Sequence, residues 1–230
     1  MLPHDLRKYK HQCNLKPMAY LNWDTKIITN VSSDSVAELY NEGYVFTRVD
    51  KGVMNKTRSF RVNLRAYAPS SENRRILRKA ETLEMKVESI PYAGYNWEIG
   101  KLAKDFYEKF GDNVFTANKV KEILTEEDKS NFNKLLVFSE GGKAVGYVIC
   151  FESSSMLHYS YPFYVEEPSR GIGMMTKALE WAKAADKEYI YMGSLQRPTD
   201  SYKLQFLGGE WFDGTKWQVD TEPLKEILSN

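Results

Sequence analysis

The segment Arg170-Gly171-Ile172-Gly173 has the residue types and spacing of an anion-binding turn. It follows an aromatic-rich strand pattern and precedes a helix that we predict over Met174 to Ala185. A helix start offers unpaired backbone N–H groups and the positive end of the helix dipole, and glycines let the backbone approach a phosphate closely. Arg170 adds a positive charge. The alternative is a tight strand-to-helix turn that binds no ligand.

Two further residues have side chains suited to proton transfer. Glu152 stands at the end of the predicted strand Ala144 to Phe151, as a candidate base or partner for a substrate ammonium, or as a solvated carboxylate. His158 lies in an aromatic strand pattern, as a candidate base or a structural histidine. The sequence shows no Ser/His/Asp or Cys/His arrangement, which argues against a covalent enzyme intermediate.

A cluster of cations follows the turn signal Ala68-Pro69-Ser70 in a predicted helix. Its members are Arg74, Arg75, Arg78 and Lys79. Positions three and four residues apart share a helix face, so the charges lie on adjacent turns of one side. Such a face either contacts nucleic-acid phosphates or is solvated. The whole chain carries a net charge of only +1, so any basic partner site must be local.

The elements that position these residues follow an α+β order. Helix patterns occur at about 31–41, 96–110 and 116–124, and strand patterns at 44–49, 59–64, 134–139, 144–151, 156–165 and 189–193. The helix from Met174 provides the crossover that two parallel strands need. We predict a mixed β-sheet flanked by helices in residues 76–230, preceded by a small β-rich region in residues 1–75.

Composition favours a folded cytoplasmic protein. The chain has 42% hydrophobic and 27% charged residues, as globular proteins do. Its apolar runs are far shorter than the roughly 20 residues that span a bilayer, and no signal-peptide pattern is present. Its cysteines, Cys13 and Cys150, form no CxxC pair, and His4 and His11 beside Cys13 do not make a metal-site spacing. We expect no metal and no membrane partner.

The residues from about Asn133 to Phe212 resemble the GNAT superfamily of acyltransferases. The hairpin, the strand that ends at Phe163 to Pro168, and the glycine turn follow in that family's order, and Ser201 to Phe212 is similar to its late segment. In this chain Pro168 occupies a position where the family has Gln or Arg, and the turn is shorter.

The GNAT resemblance implies a GNAT-like sheet and a donor site at Arg170, Gly171, Ile172 and Gly173. It also implies that Tyr202 lies near splayed strands as the acid for the leaving group, the alternative being a structural tyrosine. The tyrosines of the 156–165 strand are core or sheet surface, or a wall of the substrate channel. Those tyrosines are Tyr159, Tyr161 and Tyr164.

A second resemblance spans most of the chain. The segment from Tyr67 to Ala80 resembles the part of arginyl-tRNA–protein transferases in which a Pro-Ser turn leads to a basic helix with paired arginines. Later segments are also similar to that family, namely Phe163-Tyr164, Glu180 to Lys183, Tyr189 to Gly193 and Tyr202-Lys203. The family commonly has an N-terminal cluster of CxxC elements, so we expect no regulation through such a cluster here.

Three functions remain open from the sequence. The arginyltransferase resemblance implies an aminoacyl-tRNA donor, contacted by the basic helix, and an amino-terminal amine as acceptor. The first alternative is an acetyl-CoA-dependent N-acetyltransferase, which the glycine turn supports. The second is a non-catalytic binding protein with the GNAT fold. The acceptor is a primary amine on a peptide, a protein or a small molecule.

Overall fold

The computed structural model describes residues 21–29, 32–111 and 114–229, which form two β-sheets and the helices around them. The strands, in chain order, are β1 (Asp24–Ile27), β2 (Tyr44–Phe46), β3 (Val53–Lys56), β4 (Ser59–Asn63), β5 (Glu84–Ser89), β6 (Lys134–Glu140), β7 (Lys143–Glu152), β8 (Met156–Tyr164), β9 (Tyr189–Ser194), β10 (Gly209–Phe212) and β11 (Trp217–Gln218). Strands β1, β3 and β2 form a small antiparallel sheet, and the large sheet has the order β11-β10-β4-β9-β8-β7-β6-β5.

The helices lie on both sides of the large sheet. They are α1 (Ser33–Asn41), α2 (Ser71–Lys79), α3 (Trp97–Glu108), α4 (Ala117–Thr125), α5 (Arg170–Ala184) and α6 (Glu222–Ser229), with a 3₁₀ helix at Pro198–Gln205. Among the residues described, no helix has the length and apolar character needed to cross a bilayer.

One pair of strands makes the large sheet mixed. Strands β8 and β9 run parallel, whereas all the other neighbouring strands of this sheet are antiparallel. Helix α5 lies between β8 and β9 in the sequence and provides the crossover that parallel neighbours require. The predicted mixed sheet with a crossover helix is confirmed.

Alternating side chains of β7 supply both halves of the core. Val148 and Cys150 pack with α5, α6 and the residues that follow α2 on one face, and Ile149 and Phe151 pack with α1, α3 and α4 on the other. The strand is therefore buried on both faces, and it reads as a nearly continuous apolar run for that reason. The predicted hairpin of β6 and β7 is present, turning at Gly141 and Gly142 with φ of 56° and 77°.

Two details differ from the sequence-based expectations. Helix α5 begins at Arg170 and not at Met174, because Ser169 adopts φ 66° and its carbonyl accepts from the Gly173 N–H at 2.9 Å, which closes the first turn. Strand β4 lies between β9 and β10, so the β-rich N-terminal region supplies a strand to the large sheet. The division at residue 75 stays a prediction.

Candidate active site

The parallel strands β8 and β9 diverge after three residue pairs. Pairing runs from Met156 with Tyr189 to His158 with Tyr191, and then stops. Strand β8 continues to Tyr164 and β9 continues to Ser194, each paired only on its outer side. The inner edges therefore present backbone groups that a bound substrate can pair with.

Tyr202 lies beside this open edge. The 3₁₀ helix that carries it begins four residues after β9 ends. Its hydroxyl interacts electrostatically with those of Tyr159 and Tyr164, both on β8. Although the residue is 45% exposed, burial, followed by the charge of Asp200, raises the pKa of Tyr202. The hydroxyl is therefore protonated at neutral pH and can donate a proton or a hydrogen bond.

Lys203 was not predicted as a site residue, and it is buried next to Tyr202. The residue is 6% exposed, and its ammonium donates to the carbonyl of Ser194 at 2.7 Å. Burial lowers the pKa of Lys203. The sequence signal was its place in the Tyr202-Lys203 pair, but sequence alone does not reveal that the lysine is buried. The charge sits where β9 ends, at the mouth of the open edge.

Tyr159 adds a hydroxyl without a partner. It is 2% exposed, and its oxygen has no hydrogen bond within the described residues. Leaving a buried hydroxyl unpaired costs about 1–3 kcal/mol. Tyr159 packs in the core on one face of the sheet, and its hydroxyl interacts electrostatically with that of Tyr202. A role in a channel wall stays a prediction.

His158 faces the opposite side of the sheet from this group. Its Nδ1 lies 2.9 Å from the hydroxyl of Tyr40 in α1, and Phe132 packs beside its ring. Burial lowers the pKa of His158 to about 3, so the imidazole is neutral at physiological pH. This environment is that of a structural histidine. A role as base stays a prediction.

Glu152 lies at the other end of the β8–β9 pairing from the open edge. It is the register partner of Leu157, and its carboxylate contacts Lys187 at 2.8 Å and Lys134 at 3.8 Å. Its backbone N–H donates to the side chain of Asn133. These two ion pairs give the Glu152 carboxylate a structural role. Its role as base or ammonium partner stays a prediction.

The predicted glycine turn is the first turn of α5. A Cβ on Gly171 would lie 2.2 Å from the Tyr164 hydroxyl oxygen, and one on Gly173 would lie 3.0 Å from the Cβ of Ala80. The glycines therefore permit close packing of Tyr164 and α2 against α5. Tyr164 in turn links this helix start to Tyr202, so the structure brings these two predicted sites together.

The amides at the start of α5 remain available. Within the described residues, no hydrogen bond is made by the N–H groups of Gly171 or Ile172, as is usual for a helix start. Arg170, in contrast, is engaged: its guanidinium donates to Glu140 at 2.9 Å and to the Val165 carbonyl at 2.5 Å. Its charge is largely neutralised before any ligand binds.

A cleft of about 490 Å³ adjoins this helix start and joins it to the basic helix. It is lined by Ile76, Lys79, Ala80, Leu83, Glu140, Glu167, Pro168, Ser169 and Arg170. Two of these residues are basic and two are acidic, so the lining is balanced in charge. A phosphate group there would meet carboxylates as well as cations.

The cations of the basic helix α2 differ in their hydrogen-bond and ion-pair partners. Its start is fixed by reciprocal hydrogen bonds between Ser70 and Asn73. Arg75 pairs with Glu72 through two hydrogen bonds of 2.7 and 2.5 Å, whereas Arg74 donates to the carbonyl of Pro69. Arg78 and Lys79 are exposed and form no ion pair in the described chain. Nucleic-acid contact by this helix stays a prediction.

Ligand-type residues do not cluster in the part of the chain that is described. Residues 21–29, 32–111 and 114–229 contain no group of three or more His, Cys, Asp or Glu side chains arranged to hold a metal ion. Cys13, His4 and His11 lie outside the described residues.

Comparison with known proteins gives structural matches without sequence matches. No protein-family model matches the sequence, and no match occurs among the curated proteins. L-PGS from Bacillus licheniformis aligns with a TM-score of 0.52 and 13% identity, covering 86% of this chain and 71% of that chain. FemX aligns with a TM-score of 0.47 and 10% identity over 86% of this chain and 71% of that chain.

A further match is the GCN5-related glucosamine N-acetyltransferase region of a fungal multi-domain β-N-acetylglucosaminidase. Its TM-score is 0.43 with 13% identity, over 78% of this chain and 22% of that chain. At such identities the similarity concerns the fold. The described chain has an α+β fold similar to that of L-PGS, with a large mixed sheet flanked by helices and a small antiparallel sheet beside it.

Proposed function

We propose that this protein is an aminoacyltransferase of the arginyl-tRNA–protein transferase type. It moves an aminoacyl group from aminoacyl-tRNA to a primary amine, such as the amino terminus of a peptide or protein. The observation that carries the proposal is the open edge between β8 and β9 with the protonated hydroxyl of Tyr202 beside it. The cytoplasm, the predicted compartment, supplies this donor.

The residues at the open edge suit direct transfer. The acceptor amine attacks the ester carbonyl, a C–N bond forms, and the C–O bond to the terminal ribose breaks. Backbone N–H groups of the diverging strands stabilise the developing oxyanion. The Tyr202 hydroxyl gives its proton to the departing ribose oxygen, and the amine nitrogen loses a proton to solvent or to a base. No enzyme nucleophile takes part.

A protonated Tyr202 hydroxyl matters more for an ester donor than for a thioester. A thiol has a pKa of about 8.5, so a thiolate leaves without help from a strong acid. A ribose alkoxide is far more basic and needs a proton as it departs. A tyrosine that keeps its proton until the C–O bond breaks meets that need.

The charge distribution also supports a tRNA donor. Arg74 and Arg78 stand four residues apart on α2, and both are free of carboxylate partners among the described residues. The cleft at the start of α5 contains two acidic and two basic residues, so its lining gives the pyrophosphate of a CoA molecule no net attraction. A long polyanion gains from the exposed helix without entering that cleft.

An acetyl-CoA-dependent N-acetyltransferase is the second candidate. The free N–H groups of Gly171 and Ile172 at the start of a 15-residue helix favour it, because such amides bind phosphate. For that function CoA must displace the Arg170–Glu140 ion pair or bind beside it.

The test is a donor comparison with purified protein. Transfer of labelled aminoacyl groups from a set of aminoacyl-tRNAs, and of acetyl groups from acetyl-CoA, is followed onto peptides with a free or a blocked amino terminus. We expect transfer from aminoacyl-tRNA to the free amine only, with loss of activity in Tyr202→Phe. Transfer from acetyl-CoA alone would favour the second candidate. Binding of either donor without any transfer would indicate a non-catalytic protein.

A further inference from the structure

A second surface cleft lies between α3 and α4, with a volume of about 440 Å³ that is sufficient for a small-molecule ligand. The α3 residues that line it recur every three or four positions and therefore share one helix face. They are Trp97, Lys101, Lys104 and Asp105. Phe106, on the opposite face of α3, packs against Tyr164 beside the open edge. The cleft is therefore separate from the candidate active site.

Trp97, the first residue of α3, brings an exposed indole to this cleft. The residue is 69% exposed, although tryptophan is highly buried on average. Within the described residues, its N–H group makes no hydrogen bond and its ring makes no aromatic or cation–π contact. The indole is therefore free to stack on the planar ring of a ligand.

The lining of the cleft has an excess of positive charge. Lys101 pairs with Asp105 at 2.6 Å, and Lys104 pairs with Glu108 at 3.0 Å, with all four side chains about half exposed. Lys121 on α4 is exposed and has no ion-pair partner among the residues described. Exposed ion pairs contribute little, so an anion in the cleft can recruit the paired lysines as well as Lys121.

We propose that this cleft binds a nucleotide, with its base stacked on Trp97 and its phosphate held by Lys121 and the neighbouring lysines. Proteins bind the nucleotides of single-stranded nucleic acids through this combination of aromatic stacking and cations. A phosphate alone would leave the exposed indole without a partner, and an apolar ligand would leave Lys121 without one. Ala117 and Asn118, which begin α4, also line the cleft, and N–H groups at a helix start favour a phosphate.

The nucleotide has two sources with one chemistry. It is either a free nucleotide or one unit of a single-stranded RNA segment, because both present a base and a phosphate. The site is measurable without any transfer reaction, since the cleft and the open edge adjoin opposite faces of α3.

The experiment titrates wild-type protein with AMP and, separately, with adenosine and with ribose 5-phosphate. Binding is followed by ¹H–¹⁵N NMR at the indole N–H of Trp97 and the amide of Asn118. AMP should cause saturable shifts at both positions. Ribose 5-phosphate, which lacks the base, should bind about 5-fold more weakly or worse, and adenosine, which lacks the phosphate, should also bind more weakly. The indole N–H groups of Trp211 and Trp217 donate to carbonyls elsewhere and should not shift.

Variants test the two contacts separately, with affinity for AMP measured at the Asn118 amide. Trp97→Leu should weaken binding about 5-fold or more, the loss expected for one base stack. Lys121→Gln should weaken binding about 2-fold or more, as the loss of an exposed ion pair does. Lys143→Gln is the matched control, because Lys143 is exposed and unpaired within the described residues but lies outside the cleft. It should bind AMP like wild type.

The outcomes separate the source of the nucleotide from the existence of the site. Tighter binding of an oligoadenylate than of AMP identifies single-stranded RNA as the source, and equal affinity identifies a free nucleotide. The site is overturned by absence of shifts with AMP, by equal affinity for adenosine and AMP, or by unchanged affinity in Trp97→Leu. The donor comparison judges the proposed transfer reaction independently, so failure of either proposal leaves the other standing.

Discussion

The ammonium of Lys203 donates a hydrogen bond of 2.7 Å to the carbonyl oxygen of Ser194. Ser194 is the last residue of β9, so this bond ties the 3₁₀ helix to the strand end. Tyr202 precedes Lys203 in the chain, and its backbone is therefore held in place by its neighbour. The position of the proposed acid therefore depends on a buried lysine.

The substitution Tyr202→Phe should lower turnover about 100-fold or more while donor affinity stays within a factor of two or so. Phenylalanine keeps the ring and its packing but cannot give a proton to the leaving oxygen. Single-turnover rates and donor binding are measured separately. Tyr95→Phe is the control. Tyr95 packs with α3 on the other face of the sheet, so this variant should keep full activity. Wild-type turnover in Tyr202→Phe would make Tyr202 structural.

The substitution Gly171→Ala should destabilise the fold by about 1–3 kcal/mol, as overpacking does. The added methyl would lie 2.2 Å from the hydroxyl oxygen of Tyr164 and 2.7 Å from its Cζ. Adding Tyr164→Phe removes the nearer atom and should restore part of the loss. The free energy of unfolding is measured in urea for both variants and for Gly173→Ala, whose nearest contact is 3.0 Å. An unchanged Gly171→Ala would contradict this packing.

The pH dependence of the free energy of unfolding should show the lowered pKa of His158. Burial lowers its folded-state pKa to about 3 from an ordinary 6.5, so the unfolded chain binds the extra proton between these values. The free energy of unfolding therefore falls as pH decreases, by about 1 kcal/mol per unit between pH 6 and 5 from this group.

Comparison of variants isolates that contribution. His158→Gln should flatten the pH slope of the unfolding free energy by that amount, measured by urea unfolding from pH 7 to 5. Tyr40→Phe removes the hydrogen bond to His158 but leaves the ring buried, and it should keep the wild-type slope. Equal slopes in wild type and His158→Gln would show that His158 titrates normally in the folded protein.

Local patterns in the sequence were sufficient to predict most of the large mixed sheet. The apolar runs around Gly141 predicted the β6–β7 hairpin, and the helix between two strand patterns predicted the parallel pair. The place of β4 depends on pairing Asn63 with Tyr189, far along the chain, and no local pattern encodes that. The start of α5 was placed too late because Pro168 and Gly171 are typical of loops, whereas Ser169 makes the turn and the glycines lie within the helix.

The candidate site was predictable only in part. Tyr202 was identified only through a resemblance, because the tyrosines that it interacts with, Tyr159 and Tyr164, lie on β8, about 40 residues earlier in the chain. Lys203 is an ordinary basic residue in the sequence, and only its burial makes it notable. The cations of α2 were predicted as a group. The structure separates them, because Glu72 engages Arg75 and leaves Arg74 and Arg78 free of carboxylates.

Because Arg74 and Arg78 lack carboxylate partners among the described residues and Arg75 has one, their contributions to tRNA binding should differ. The double variant Arg74→Gln with Arg78→Gln should weaken tRNA binding and reduce the slope of log K against log salt by about 1.4–1.8, if each arginine neutralises one phosphate. Glutamine is a good helix former, so thermal stability should change little. Arg75→Gln is the matched control, because its charge is already paired with Glu72 and its loss should alter the slope much less.

Binding of acetyl-CoA, the competing donor, is the control measurement for the double variant. Acetyl-CoA binding, measured by calorimetry on the same proteins, should be unaffected by the double variant, because these side chains do not line the cleft at the start of α5. If wild-type protein binds tRNA without salt dependence, or if the double variant binds it equally well, α2 is a solvated face and the support from charge for a tRNA donor is lost. The free amides of Gly171 and Ile172 would then make acetyl-CoA the better-supported donor.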